Sequence, residues 1–273
     1  MSKILKGLSV ADYIDHEDKE WLDKLDAIPG IKKLLAETIA DLQEKLTTIN
    51  LIGNGISITQ ESYPDLYIHL SKASKVLDIQ DVPDFSVVWS YDMSMKTDGA
   101  KRPRIMAHSG AIDVLSDNEL CFLLGHELGH IVAGHKPYHD LLMALYTPLM
   151  DSLPNAKILL TFLGPKILQW YRISDFTADR AGLLACQDID VAITAMAKLS
   201  GVPQKYHCKI KPESFLRQAK IFEQNNVGLA DSIIQNLSMR TATAPWLVVR
   251  VAKLYDWYES GEYHKVLDKY PHE

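Results

Sequence analysis

Residues 126–130 read His126-Glu127-Leu128-Gly129-His130, and this run makes sense only on an α-helix. Histidines four apart share a helix face and stand about 6 Å apart along its axis. Both imidazoles can then reach one divalent metal. Glu127 projects beside it, where it can serve as general base on a metal-bound water. The fold must therefore bury this helix, and the flanks agree. Ser116 is a fitting N-cap, with Glu119 three residues on as its capping-box partner. Leu120, Phe122, Leu123, Leu124, Leu128, Ile131 and Val132 supply the apolar face. Gly125 and Gly129 lower helix propensity, which a closely packed neighbouring helix would explain. The rival reading is a core helix with two satisfied histidines, and it leaves Glu127 buried at a cost.

Two imidazoles leave a catalytic zinc one protein ligand short. A third histidine six residues after His130, with glycine at the third, would complete one known pattern, but those positions hold Lys136 and Ala133. His135 falls one residue early, which predicts a solvent-exposed histidine at the helix end or on the cleft rim. Downstream, Asp175 and Asp179 are four apart and flanked by Ile173, Phe176, Ala178, Ala181 and Leu183. A buried acid pair needs a cation. Asp175 can complete the ligand triad, and Asp179 can accept the free ring N–H of a ligating histidine and so hold its tautomer.

With these residues in view, the chain resembles the M48 metallopeptidases, a gluzincin family. The likeness rests on the 126–130 motif, on the acid-x-x-Ala178-Asp179 element, on the run from Pro103 to Leu120, and on Thr243-Ala244-Pro245 with Arg250; it spans about residues 85–255. The resemblance implies a zincin-like core with a small β-sheet, one Zn2+ per chain, and a peptide or protein substrate. Two positions depart from the family pattern. Its third ligand is usually Glu, so Asp175, one methylene shorter, requires the acid-bearing helix to sit closer to the metal. The family's histidine before Pro245 is Ala244 here, which leaves Tyr171, His207 and Arg250 as candidates for stabilising an oxyanion.

A net charge of −6 argues against a nucleic-acid partner or an anionic membrane. Three cysteines with no CxxC pair argue against a disulfide framework and fit the cytoplasm, with Cys121 and Cys186 expected as buried thiols. The first twelve residues hold no signal-peptide core. The apolar stretch 141–171 is cut by Pro148, Asp151, Pro154, Lys157, Pro165 and Lys166, so no segment nears the ~20 residues of a membrane span. That stretch reads as buried helices over the metal helix, with peripheral membrane contact as the alternative.

The expected architecture is α+β and predominantly helical. Residues 17–80 read as amphipathic helix, with 31–49 carrying the clearest spacing, a second helix over Pro64–Leu77 and a boundary near 53–62. Residues 1–60 form an N-terminal helical segment, and 61–273 the metallopeptidase domain. Phe85–Tyr91 and Arg104–Ala107 read as strands around a turn-rich 96–103, with Trp89–Thr97 as a sheet edge able to take a peptide strand. Helices are expected over 191–199, 212–224, 228–238 and 245–258. Together these features predict a zinc endopeptidase in which His126, His130 and Asp175 bind the metal, Glu127 is the base and Asp179 orients a histidine. The alternatives are an inactive zinc-binding pseudo-protease that serves as a binding module, and a closed four-ligand site drawing on His135 or His207.

Overall fold

The computed structural model describes residues 2–31, 53–99, 102–144, 154–225 and 246–270, with single positions between 45 and 51. Most of the expected 31–49 helix, the 228–238 helix, Ala244 with its neighbours and the middle of 141–171 lie outside the described residues. After a 3-10 turn at Val10–Asp12 come α1 (His16–Asp26), β1 (Gly55–Ile58), α2 (Pro64–Val76), β2 (Asp84–Val88), β3 (Met95–Asp98) and β4 (Arg104–His108). There follow α3 (Ser109–Val114), α4 (Asp117–Val132), α5 (Lys136–Ala144), α6 (Pro154–Cys186) and α7 (Ile189–Leu199). A 3-10 turn at Gln204–Lys209 leads to α8 (Pro212–Asn225), α9 (Leu247–Glu259) and α10 (Glu262–Lys269).

The fold is predominantly helical α+β with a small mixed sheet in the order β1-β2-β4-β3. β2 and β4 are parallel; β1 and β3 pair antiparallel on either side. β1 interrupts the helix expected across 17–80: Gly55–Ile58 is a strand because it pairs with Phe85–Val88, and pairing across a long gap leaves no local mark. β3 runs from Met95 into the expected 96–103 turn and is shorter than the edge predicted at 89–97, but it does lie at the sheet edge. Helices α7, α8 and α9 match their expected spans within two residues.

The main core gathers Phe85 and Ile105 from the sheet, Phe122, Leu124 and Leu128 from α4, Leu184 from α6 and Met196 from α7. Burying each such large side chain contributes about 1.5–3 kcal/mol. Ser116 begins α4 as predicted, its backbone N–H donating to Glu119 Oε2 at 2.7 Å. That carboxylate also receives Lys198 Nζ at 2.6 Å, which ties the start of α4 to α7.

α4 and α6 meet through glycine. A Cβ on Gly125 would lie 2.4 Å from Ala185 Cβ, and one on Gly129 2.6 Å from Ala181 Cβ. From the facing helix, a Cβ on Gly182 would meet the Phe122 carbonyl at 2.7 Å. These glycines trade helix propensity for close approach, and they bring the α6 backbone near enough for a short acidic arm to reach α4.

A second core cluster holds Leu25 and Ile31 with Tyr138, Leu141 and Leu142 of α5 and Ile167 and Trp170 of α6. The described part of 141–171 is thus core packing rather than a greasy surface. α6 also continues through Pro165, so that proline does not interrupt the helix as expected. Among the described residues no helix is long and apolar enough to cross a membrane.

Candidate metal centre

α4 presents His126, Glu127 and His130, all buried, and α6 lays Asp175 and Asp179 across them. His126 Nε2 and His130 Nε2 are 3.1 Å apart. Asp175 Oδ1 lies 3.3 Å from His130 Nε2. One ligand atom from each of His126, His130 and Asp175 falls within 4.8 Å of the others, the one such cluster among the described residues.

The opposite ring nitrogens are occupied. His126 Nδ1 pairs with Asp179 Oδ1 at 2.9 Å, and His130 Nδ1 with His135 Nδ1 at 2.9 Å. When each Nδ1 donates, both Nε2 lone pairs point at the same place. Two lone pairs 3.1 Å apart repel unless a cation or proton lies between them.

Arg250, buried on α9, braces the acid pair. Its Nε donates to Asp179 Oδ2 at 2.8 Å, a second nitrogen donates to Asp179 Oδ1, and the third lies 3.3 Å from Asp175 Oδ2. Burial opposes charge on both carboxyls, but Arg250 and the imidazoles outweigh it, so both pKa values fall below the ordinary carboxylate range. Burial lowers the His130 pKa and keeps its ring neutral. At His126 burial acts the same way, but the Asp179 hydrogen bond outweighs it and the pKa rises.

Glu127 is held from the sheet side. Thr97 Oγ1 on β3 stands 2.8 Å from Glu127 Oε2 and 3.0 Å from the Glu127 carbonyl. Met93 to Asp98, the run ending in β3, lines a cleft of about 650 Å3 that also exposes His126, Glu127, His130 and Asp175. β3 pairs with β4 along one side, and no strand pairs with the other among the described residues.

The model of peptidase family M48 matches residues 94–258, more than half of the chain. The chain belongs to peptidase family M48. It is also 26% identical, over 97% of its own length and 78% of the relative's, to the plastoglobule-localized metallopeptidase 48, chloroplastic, of Arabidopsis thaliana. No solved structure matches.

In this M48 chain the five central residues named from sequence, His126, Glu127, His130, Asp175 and Asp179, come together. Of the three oxyanion candidates, Tyr171 and Arg250 line the cleft and His207 does not. His207 instead sits in the 3-10 turn with its Nε2 2.7 Å from the Val202 carbonyl. Burial, then Asp175 and Glu127, push the Tyr171 pKa up, so its phenol keeps its proton.

His135 overturns the expectation of an exposed histidine: it is fully buried against His130. Gly134 explains the difference. Its positive φ of 71° ends α4 and turns the chain back toward the helix, so five residues no longer mean the far face. Sequence reasoning also missed Thr97, His139 and Asp18. His139, in the cleft wall, is held neutral by burial and by His130 and His135. The spacing His130, His135, His139 was a readable signal for a histidine cluster, whereas Thr97 and Asp18 carry no mark before folding.

Proposed function

We propose that this M48 chain is a zinc-dependent endopeptidase in which His126, His130 and Asp175 hold one Zn2+ and Glu127 is the general base. The observation that carries the reading is three buried donors converging beside a carboxylate, at the foot of a cleft bordered by a strand edge that is unpaired among the described residues. The spacing suits the ion. Donors about 2.0–2.2 Å from a tetrahedral zinc stand about 3.3–3.6 Å from one another; two pairs here are 3.1 and 3.3 Å apart, and the third lies within 4.8 Å. His135 has both ring nitrogens facing protein groups, which supports three protein ligands with the remaining side open to the cleft.

Zinc in such a site supplies Lewis acidity and brings the pKa of a bound water to about 7. Glu127 takes the proton of the attacking water and passes it to the leaving amine, and Thr97 holds the carboxylate in place for both transfers. An extended peptide adds to the edge of β3 that no described strand occupies, so its backbone runs past Glu127. Tyr171, protonated and in the cleft, donates to the developing oxyanion. Arg250 has its donors turned toward Asp175 and Asp179 and serves to brace them. Three unpaired cysteines support a reducing setting such as the cytoplasm.

Glu127→Gln should retain zinc by elemental analysis and lose casein or fluorogenic-peptide hydrolysis. Wild-type protein that holds zinc but shows no chelator-sensitive hydrolysis would instead identify a binding module built on a protease fold.

A further inference from the structure

Two histidines hold the metal in the proposed site, and they are supported unequally. His126 leans directly on a carboxylate, Asp179. His130 leans on another imidazole, His135, whose Nδ1 is 2.9 Å away. Beyond it, His135 Nε2 lies 3.0 Å from Asp18 Oδ2, at ion-pair distance though off the hydrogen-bond line. Asp18 and His135 are both fully buried.

We propose that Asp18 and His135 form a relay that positions His130 for the metal, so that α1, which lies before the family-matched segment, helps to build the metal centre. The inference rests on the zinc-site reading above. Proton bookkeeping supports one arrangement. Zinc needs the His130 Nε2 lone pair, so the ring proton sits on Nδ1 and is donated to His135 Nδ1. His135 must then carry its own proton on Nε2, which faces the Asp18 carboxylate. Every tautomer follows from the one before it.

Asp18 is fixed well enough to act this way. Its carboxylate accepts Trp170 Nε1 at 2.8 Å and the Thr177 hydroxyl, both from α6. Burial alone would raise its pKa, but His135, Thr177 and Trp170 outweigh it and keep it ionised. The start of α1 is clamped as well. Asp15 accepts Arg180 at 2.6 Å, and its backbone N–H donates to Thr177 Oγ1 at 3.0 Å. α6 therefore delivers Asp175 to the metal and holds the far end of the relay. Asp18 and His135 touch no reacting atom; they are positioning residues.

The test measures Zn2+ affinity of the full chain by competition with a chromophoric chelator, for wild type, His135→Leu, His135→Asn and Asp18→Asn. An asparagine amide oxygen can stand where His135 Nδ1 stands and accept from His130; leucine cannot. His135→Leu should bind zinc roughly 10- to 100-fold more weakly, with His135→Asn recovering most of that loss and Asp18→Asn falling between. A purely structural role would penalise Leu and Asn alike, in step with the melting temperature of the metal-free protein. The zinc-loaded wild type should also show, by 15N NMR of labelled histidine, a His135 ring protonated at Nε2 and bare at Nδ1. That measurement decides the matter if a variant fails to fold. Equal affinities for wild type and His135→Leu, or a His135 proton on Nδ1, would overturn the relay. Wild type without zinc affinity would instead overturn the site reading on which it rests.

Discussion

Gly129→Ala is the sharpest probe of how packing produces the metal centre. The new Cβ would lie 2.6 Å from Ala181 Cβ and 3.1 Å from Ala178 Cα, against 3.4–4 Å for ordinary contact. Neither neighbour is a flexible side chain, so α6 must back away by about 0.8 Å. Overpacking of this kind costs about 1–3 kcal/mol, and alanine's better helix propensity offsets about 1 kcal/mol. The net is roughly 0–2 kcal/mol, a fall in melting temperature of at most about 8 °C. The functional loss should be far larger than the stability loss. Metal–ligand distances tolerate about 0.2 Å, and Asp175 has no spare methylene with which to follow. Zinc affinity should drop by on the order of 100-fold, read by chelator competition, and casein hydrolysis with it. Adding Asp175→Glu to the same chain lengthens the arm and should restore much of the binding. Gly129→Ala that binds and cleaves like wild type, or a double variant no better than the single one, would refute the link between the glycine contact and the ligand set.

Other consequences are open to simpler assays. Thr97→Val keeps shape but removes the donor at Glu127 Oε2. It should cut kcat by roughly ten- to a hundredfold while leaving zinc content unchanged, and full activity would remove Thr97 from the site. Asp18, Asp175 and Asp179 all have pKa values below the usual carboxylate range in the folded chain. Their stabilising contribution is therefore present above the unfolded pKa near 3.9 and is lost as pH falls through the lower folded values. Metal-free protein should lose stability in that acid range by circular dichroism, and a stability flat down to pH 2 would contradict the buried ion cluster. Burial pushes the Cys121 thiol up to about 11 and the Cys186 thiol up to about 12, whereas Cys208 is exposed. At pH 8 a thiol reagent should therefore modify Cys208 first, and the other two only on unfolding. Rapid labelling of all three would show that this core opens readily.

Local residue patterns were enough to pick out the helix of His126 and His130, its capping by Ser116 and Glu119, and the acid pair packed against it, because each depends on spacings of three or four residues along one helix. They also gave the helical class and the spans of α2, α7, α8 and α9, since the apolar period repeats within a single element. The sheet was less legible. β1 is a strand only through its partner β2, and β3 is short and half hidden in turn-like residues. The candidate metal centre divides along the same line. His126, Glu127, His130, Asp175 and Asp179 could be read from composition and spacing. Thr97 and the reach of Asp18 from α1 could not, because contacts between residues 30 to more than 100 positions apart arise only when helices and sheet close on one another; the inward turn of His135 was missed because it hangs on the backbone conformation of one residue, Gly134. The chain's sequence states which chemistry is available, and the approach of α6 to α4 across bare glycine decides whether those groups stand close enough to perform it.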